Sequence, residues 1–144
     1  ADLFAGTGAF GIEAMSHSRG TSSFWFVEQD REALSCLKKN LESIFIAGDK
    51  QNLKRSPVHV VPLPVEKFYS KLPQCRFIFC DPPYDKGYFS TILNFEQTHN
   101  RLELGGLLIY EAMSREPIPE IPSSLELLDS RKHGEGTVHF FRKI

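Results

Sequence analysis

Short apolar runs alternate with stretches in which apolar residues recur every three or four positions. Ser23-Phe24-Trp25-Phe26-Val27 (a strand over about residues 22–28), Val58-His59-Val60-Val61, Phe77-Ile78-Phe79-Cys80 and Leu107-Leu108-Ile109-Tyr110 read as buried strands. Between them, residues 9–16 predict a helix with Phe10, Ile12 and Met15 available for packing. Ala33, Leu34, Leu37, Leu41 and Ile44 predict a second, capped by Asp30 and ending where Gly48-Asp49-Lys50 opens a polar loop. Residues 65–72 predict a short helix, and residues 88–102 contain another with Phe89, Ile92, Leu93 and Phe95 inward, after which Gly105-Gly106 is expected to turn the chain into the Leu107 strand. The order changes after Pro117, Pro119 and Pro122. There Leu125-Glu126-Leu127-Leu128 and Thr137-Val138-His139-Phe140-Phe141 predict two strands joined through Gly134 and Gly136.

Alternating strands and helices imply an α/β fold: a mostly parallel sheet with helices on both faces, closed by a C-terminal antiparallel hairpin. The chain enters in the middle of strand one. The expectation is one domain over residues 1–144, its N-terminal extension absent.

Asp81-Pro82-Pro83-Tyr84 ends one of these strands. Proline cannot donate to a sheet ladder, so the pair stops the strand and leaves a carboxylate at its carboxyl end. In open α/β sheets that end is where ligands bind. The set suits an amino group on a flat base. Asp81 and the Pro82 carbonyl accept hydrogen bonds from the N–H groups, Pro83 stiffens the turn, and the Tyr84 ring stacks on the base.

The first residues, Asp2-Leu3-Phe4-Ala5-Gly6-Thr7-Gly8-Ala9-Phe10-Gly11, read as a strand end, a glycine loop and a helix start. Gly6 to Gly11 fits the G-x-G-x-x-G dinucleotide pattern, which makes NAD a competitor. Asp2, inside the strand, and the Asp-Pro-Pro-Tyr turn both count against it. S-adenosylmethionine accounts for each: Asp2 near the methionine end, Phe4, Ala5, Gly6 and Gly8 along the loop, Glu28 on the ribose, Gln29 beside the adenosine, and Asp81 towards the methyl acceptor. Asp2 also suits a loop-ordering role, and Glu28 a solvated strand end.

Size and charge narrow the classes. The 144 residues suffice for one core, and 41% hydrophobic with 24% charged residues is ordinary for a globular chain. The net charge of −1 gives no global nucleic-acid signature and leaves only local basic regions. One comprises Lys38, Lys39, Lys50, Lys54 and Arg55, and the other Arg131, Lys132, His133, Arg142 and Lys143. Cys36, Cys75 and Cys80 show no metal spacing and read as buried, reduced thiols of a cytoplasmic protein. The five histidines show no ligand spacing, so no metal is expected. No apolar run is long enough to span a membrane.

Asp2-Leu3-Phe4-Ala5-Gly6-Thr7-Gly8 followed by Gly11-Ile12-Glu13-Ala14 resembles the first motif of bacterial 16S rRNA guanine-N2 methyltransferases of the RsmD type. Asp81-Pro82-Pro83-Tyr84 is similar to that family's fourth motif. Lys132-His133-Gly134-Glu135-Gly136-Thr137 with Phe140-Phe141 is similar to its final hairpin. The resemblance spans essentially the whole chain. It implies a Rossmann-like fold and methyl transfer from S-adenosylmethionine to one guanine N2. It also implies small-subunit rRNA, or the assembling subunit, as the partner, and a protein taken by default as a monomer. Two departures stand out. Pro64 occupies the place of the family's adenine-binding Asp, which leaves the Val65 N–H as the contact to the ring; the lost bond is worth about 0.5–1.5 kcal/mol. The family's segment ahead of the first motif is the other.

Two further classes stay open at this point: a DNA adenine-N6 methyltransferase, which shares Asp-Pro-Pro-Tyr but needs a separate sequence-reading region, and a module that binds S-adenosylmethionine without catalysis.

Overall fold

Residues 1–18, 22–49 and 56–144 are described by a computed structural model, residues 47–49 through their backbone. They fall into two compact units, Ala1–Val65 and Glu66–Ile144.

In the first unit, β1 (Asp2–Leu3), β2 (Phe24–Val27) and β3 (Val58–Val61) lie in the order β3-β2-β1. All pairs are parallel, with Leu3 opposite Val27 and Phe26 opposite Val60. Parallel neighbours need a crossover. Helices α1 (Ala9–Ser16) and α2 (Arg31–Asp49) supply it. Asp30 caps α2 as the sequence predicts, its carboxylate accepting the Ala33 N–H at 2.8 Å. The core joins Ala5, Met15, Phe26, Leu37 and Leu41, with Ile12, Phe24, Phe45, Val58 and Val60 packed against it.

Five expectations for this unit are corrected. Phe10 lies 43% exposed and Ile44 is exposed, because the core is already filled from the Met15 and Leu41 side of each helix. Helix α2 passes through Gly48 to Asp49 instead of opening a loop there. One glycine costs a helix only about 1 kcal/mol, and Phe45 still anchors that turn to the core. Cys36 is exposed, on the solvent face of α2, whereas Cys75 and Cys80 are buried. Trp25 is only half-buried, stacked on His59 with ring centroids 4.0 Å apart.

The second unit begins with the helical turn α3 (Val65–Phe68, its first residue closing the first unit) and a 3-10 turn, Tyr69–Lys71. Strands β4 (Cys75–Cys80), β5 (Leu102–Met113), β6 (Leu125–His133) and β7 (Gly136–Lys143) follow in the order β4-β5-β7-β6. β4 and β5 are parallel, crossed over by α4 (Tyr88–His99). β7 runs antiparallel to both β5 and β6, which gives the expected hairpin. β5 is longer than its apolar run. The chain does not turn at Gly105-Gly106 but passes through them as an irregularity in the β4–β5 register. A Cβ at Gly106 would lie 2.8 Å from the Glu103 carbonyl oxygen and 2.9 Å from that of Arg76.

Helix α4 buries Phe89, Ile92, Leu93 and Glu96. The Phe89 ring stacks on Tyr110, centroids 4.2 Å apart. Glu96 is wholly buried and fully bonded. It accepts from the Tyr69 hydroxyl at 3.0 Å, from the Arg101 and Leu102 N–H groups, and from the Lys143 ammonium at 3.2 Å. No helix among the described residues is long and apolar enough to cross a membrane.

Candidate active site

The glycine loop belongs to the first unit. β1 ends at Leu3, and Phe4 turns the chain at φ 72°. The N–H groups of Phe4 and Ala5 both donate to the Val27 carbonyl, at 3.0 and 2.9 Å. Gly6 (φ 54°) and Gly8 (φ 83°) occupy the left-handed region that side chains disfavour. A Cβ on Gly6 would meet nothing within 4 Å, so the loop is open there to a ligand. A Cβ on Gly8 would collide with Leu37 of α2, so that position serves packing as well as turning.

Two carboxylates order this loop. Asp2 is buried and accepts the Gly11 N–H at 3.0 Å, which ties the first turn of α1 to β1. Glu28 accepts the Gly6 N–H at 2.7 Å through Oε2, and the N–H groups of Gln29 and Asp30 at 2.7 and 2.8 Å through Oε1. A carboxylate offers about four acceptor positions, and these three bonds leave one for a ribose hydroxyl. Loop-ordering is therefore an observed role of both acids. The unit's chemistry fits S-adenosylmethionine: an open glycine backbone, an acid with acceptor capacity at the end of β2, and the half-buried Phe4 beside them. Ala5 is buried in the loop, and Gln29 is exposed at the start of the β2–α2 connection. Val65 is buried at the start of α3 and follows the half-buried Pro64.

Gly11 shows how tightly the loop is set. A Cβ there would press on the Phe26 ring and come within 2.9 Å of the Asp2 carboxylate. Gly11→Ala is expected to destabilise the chain by about 1–3 kcal/mol, the usual cost of overpacking, and to weaken S-adenosylmethionine binding. Urea unfolding and calorimetry check the two effects. An unchanged midpoint would mean that the helix start shifts freely.

The second unit carries the other group. β4 buries Ile78, Phe79 and Cys80 and then delivers Asp81 to solvent. Pro82 is buried, Pro83 exposed, and the Tyr84 ring 44% exposed. Asp85 (φ 60°) closes the turn and pairs with Arg115 at 3.2 Å. Gly87 then caps α4. Loss of water, followed by the Glu111 charge, pushes the Asp81 carboxyl above the ordinary carboxylate range. The Tyr84 phenol is pushed up by desolvation and then by the charges of Glu111 and Asp81, with a hydrogen bond to Glu111 contributing. Glu116 is likewise raised, by burial and then by Asp85.

Sequence reasoning misses Glu111. The signal was present: Val27-Glu28, Cys80-Asp81 and Tyr110-Glu111 each place an acid directly after an apolar run. The C-terminal basic region is also smaller than the sequence suggests. Lys143 is buried against Glu96, Arg142 pairs with Glu126 at 2.7 Å, and Arg131 pairs with Asp129 at 2.7 Å. Lys132 and His133 remain exposed near the hairpin turn. Of the other region, Lys38 and Lys39 are exposed on α2, and Lys50, Lys54 and Arg55 lie outside the described residues.

The family described as Conserved hypothetical protein 95 matches residues 1–142. YlbH of Bacillus subtilis, which carries a provisional rRNA methyltransferase name, is 28% identical over 142 residues, covering 99% of this chain and 74% of its own length. Ribosomal RNA small subunit methyltransferase D of Escherichia coli is 26% identical over 143 residues, covering 99% and 67%. A crystal structure from Haemophilus influenzae, provisionally titled a methylase, superposes with a TM-score of 0.81 at 22% identity, covering 99% of this chain and 84% of the other. That likeness shows the Rossmann-like fold.

Proposed function

The chain belongs to the Conserved hypothetical protein 95 family, the RsmD-type family that its motifs resemble, and from that premise we propose that it methylates guanine N2 in small-subunit rRNA. Methyltransferase is the coarse reading, supported by the names of the relatives. The guanine amine is the finer one. The observation that carries the amino-group acceptor is the turn after β4, where an exposed carboxylate, a carbonyl and an exposed ring follow one another within four residues, and guanine itself is taken from the family resemblance.

S-adenosylmethionine, when bound, supplies a methyl group on a positively charged sulfur that leaves readily. Asp2, Phe4, Ala5, Gly6, Gly8, Glu28, Gln29 and Val65 are the residues proposed to hold it, and Asp81 is the residue proposed to meet the acceptor. The difficulty lies in the amine, whose lone pair is delocalised into the ring. Asp81 and the Pro82 carbonyl accept its two N–H bonds and turn the lone pair out of conjugation. Tyr84 replaces the stacking lost when the base leaves its helix. Holding the reactants in line contributes several kcal/mol, up to about 7–11 in favourable systems. The amine carries a surplus proton once the new N–C bond has formed. That proton is acidic, and Asp81 or water takes it.

Transfer of labelled methyl to a panel tests this reading. The acceptors are unmethylated small ribosomal subunits, naked small-subunit rRNA, duplex DNA and free nucleosides. Label on the rRNA or the subunit is expected. Label on DNA adenine would replace the reading with a DNA methyltransferase. Binding of S-adenosylmethionine without label on any acceptor would replace it with a binding module.

A further inference from the structure

We propose that Glu111 is a specificity-determining residue that accepts the ring N–H next to the target amine, so that the site takes a base edge with two adjacent donors. The inference rests on the proposed function and names the edge that function needs: N1–H and N2–H of guanine.

The sheet register places the two acids together. Cys80 and Tyr110 are opposite one another in the parallel β4–β5 pair, so Asp81 and Glu111 are the next residues on neighbouring strands. Both strands point their carboxyl ends the same way. Glu111 is half-buried, and its charge is among the causes that push the Tyr84 phenol up, which puts the carboxylate within electrostatic reach of the stacking ring. Its charge also reaches Asp81. β7 leaves room for this carboxylate: Gly136 lies under it, where a Cβ would come within 3.1 Å of Oε1.

The consequence is a row of acceptors. Ionised Asp81 and Glu111 donate no hydrogen bond, and neither does the Pro82 carbonyl. Guanine offers N1–H and N2–H side by side. Adenine places a ring lone pair beside its amine, and so does cytosine. Either would turn that lone pair towards a carboxylate and be repelled. The same turn that presents an amine therefore rejects two of the three amino bases. Glu111 supplies the discrimination that Asp81 alone lacks.

The test uses the full chain and two acceptor RNAs. The nucleotide labelled by the wild type is first mapped. Small-subunit rRNA is then ligated with guanine or 2-aminopurine at that position. 2-Aminopurine keeps the C2 amine but has a lone pair at N1. Wild type is expected to prefer guanine by about 100-fold or more in kcat/KM, as polar sites do when a donor is missing. In Glu111→Gln the amide donates to N1, and the ratio should fall below about tenfold. Glu111→Asp, which keeps the charge, should keep the preference at a lower rate, and it decides the matter if the Gln variant fails to fold. Titration of tyrosine labelled at Cζ gives a readout apart from turnover: Glu111→Gln should lower the Tyr84 phenol pKa. A Gln variant that retains the full preference for guanine would overturn the role of Glu111 while leaving the proposed function standing. Wild type that labels no guanine would overturn both.

Discussion

Asp81→Asn is expected to lower methyl transfer by about 10- to 100-fold while leaving the chain at least as stable as wild type. The size follows from losing one charge-assisted hydrogen bond, worth about 1.5–3 kcal/mol, to the reacting amine. The stability effect follows from the sign of the pKa shift. Desolvation and Glu111 raise the Asp81 carboxyl in the folded chain. Between the unfolded and folded values the folded chain binds the extra proton, so stability falls as pH rises through that window. At neutral pH the ionised carboxylate is a net cost, and asparagine removes it. Activity runs the other way, because the acceptor must be ionised. The wild-type rate should therefore fall on acidification at a pH above the ordinary Asp value of about 3.9, and the variant should lack that limb. Single-turnover rates against pH, with urea melts alongside, check both halves. A variant that loses stability and activity together would show that Asp81 serves the fold.

Glu96→Ala is expected to destabilise the second unit by about 3–5 kcal/mol, the usual cost of breaking a buried pair. Total stabilities are about 5–15 kcal/mol, so this is a large fraction. The carboxylate joins the Tyr69 hydroxyl, two backbone N–H groups at the start of β5 and Lys143 at the end of β7. Its removal leaves an ammonium only 10% exposed without a counter-charge. Lys143→Met should cost less, because Tyr69 and the two N–H groups still satisfy the carboxylate. Urea unfolding of the two single variants and the double variant measures this. Additive losses would contradict the coupling.

The comparison of these two acids shows what sequence can convey. Asp81 is legible as an exposed carboxylate at a strand end, because the prolines stop the ladder beside it. Glu96 lies at the same helical spacing as Phe89, Ile92 and Leu93, but a lone charge at such a position reads as solvent-facing. Its side-chain partners Tyr69 and Lys143, 27 and 47 residues distant along the chain, are what the sequence does not reveal. Lys143 is misread for the same reason, counted with a basic patch when its charge is already paired. The glycine loop is legible from its spacing, and the hairpin from its flanking turns. The length of β5 is not, because Gly105-Gly106 resembles a turn until the neighbouring carbonyl of Arg76 explains why a side chain cannot fit. Glu111 required the register between two strands, although its place after an apolar run repeats that of Glu28 and Asp81.

The most direct test identifies the methylated nucleoside. Small-subunit rRNA from cells lacking this protein is incubated with the chain and S-adenosylmethionine, digested, and analysed by mass spectrometry, with Asp81→Ala in parallel. N2-methylguanosine formed by wild type and lost in the variant is the predicted result. A methyl on any other atom, or equal product from both proteins, would contradict the account.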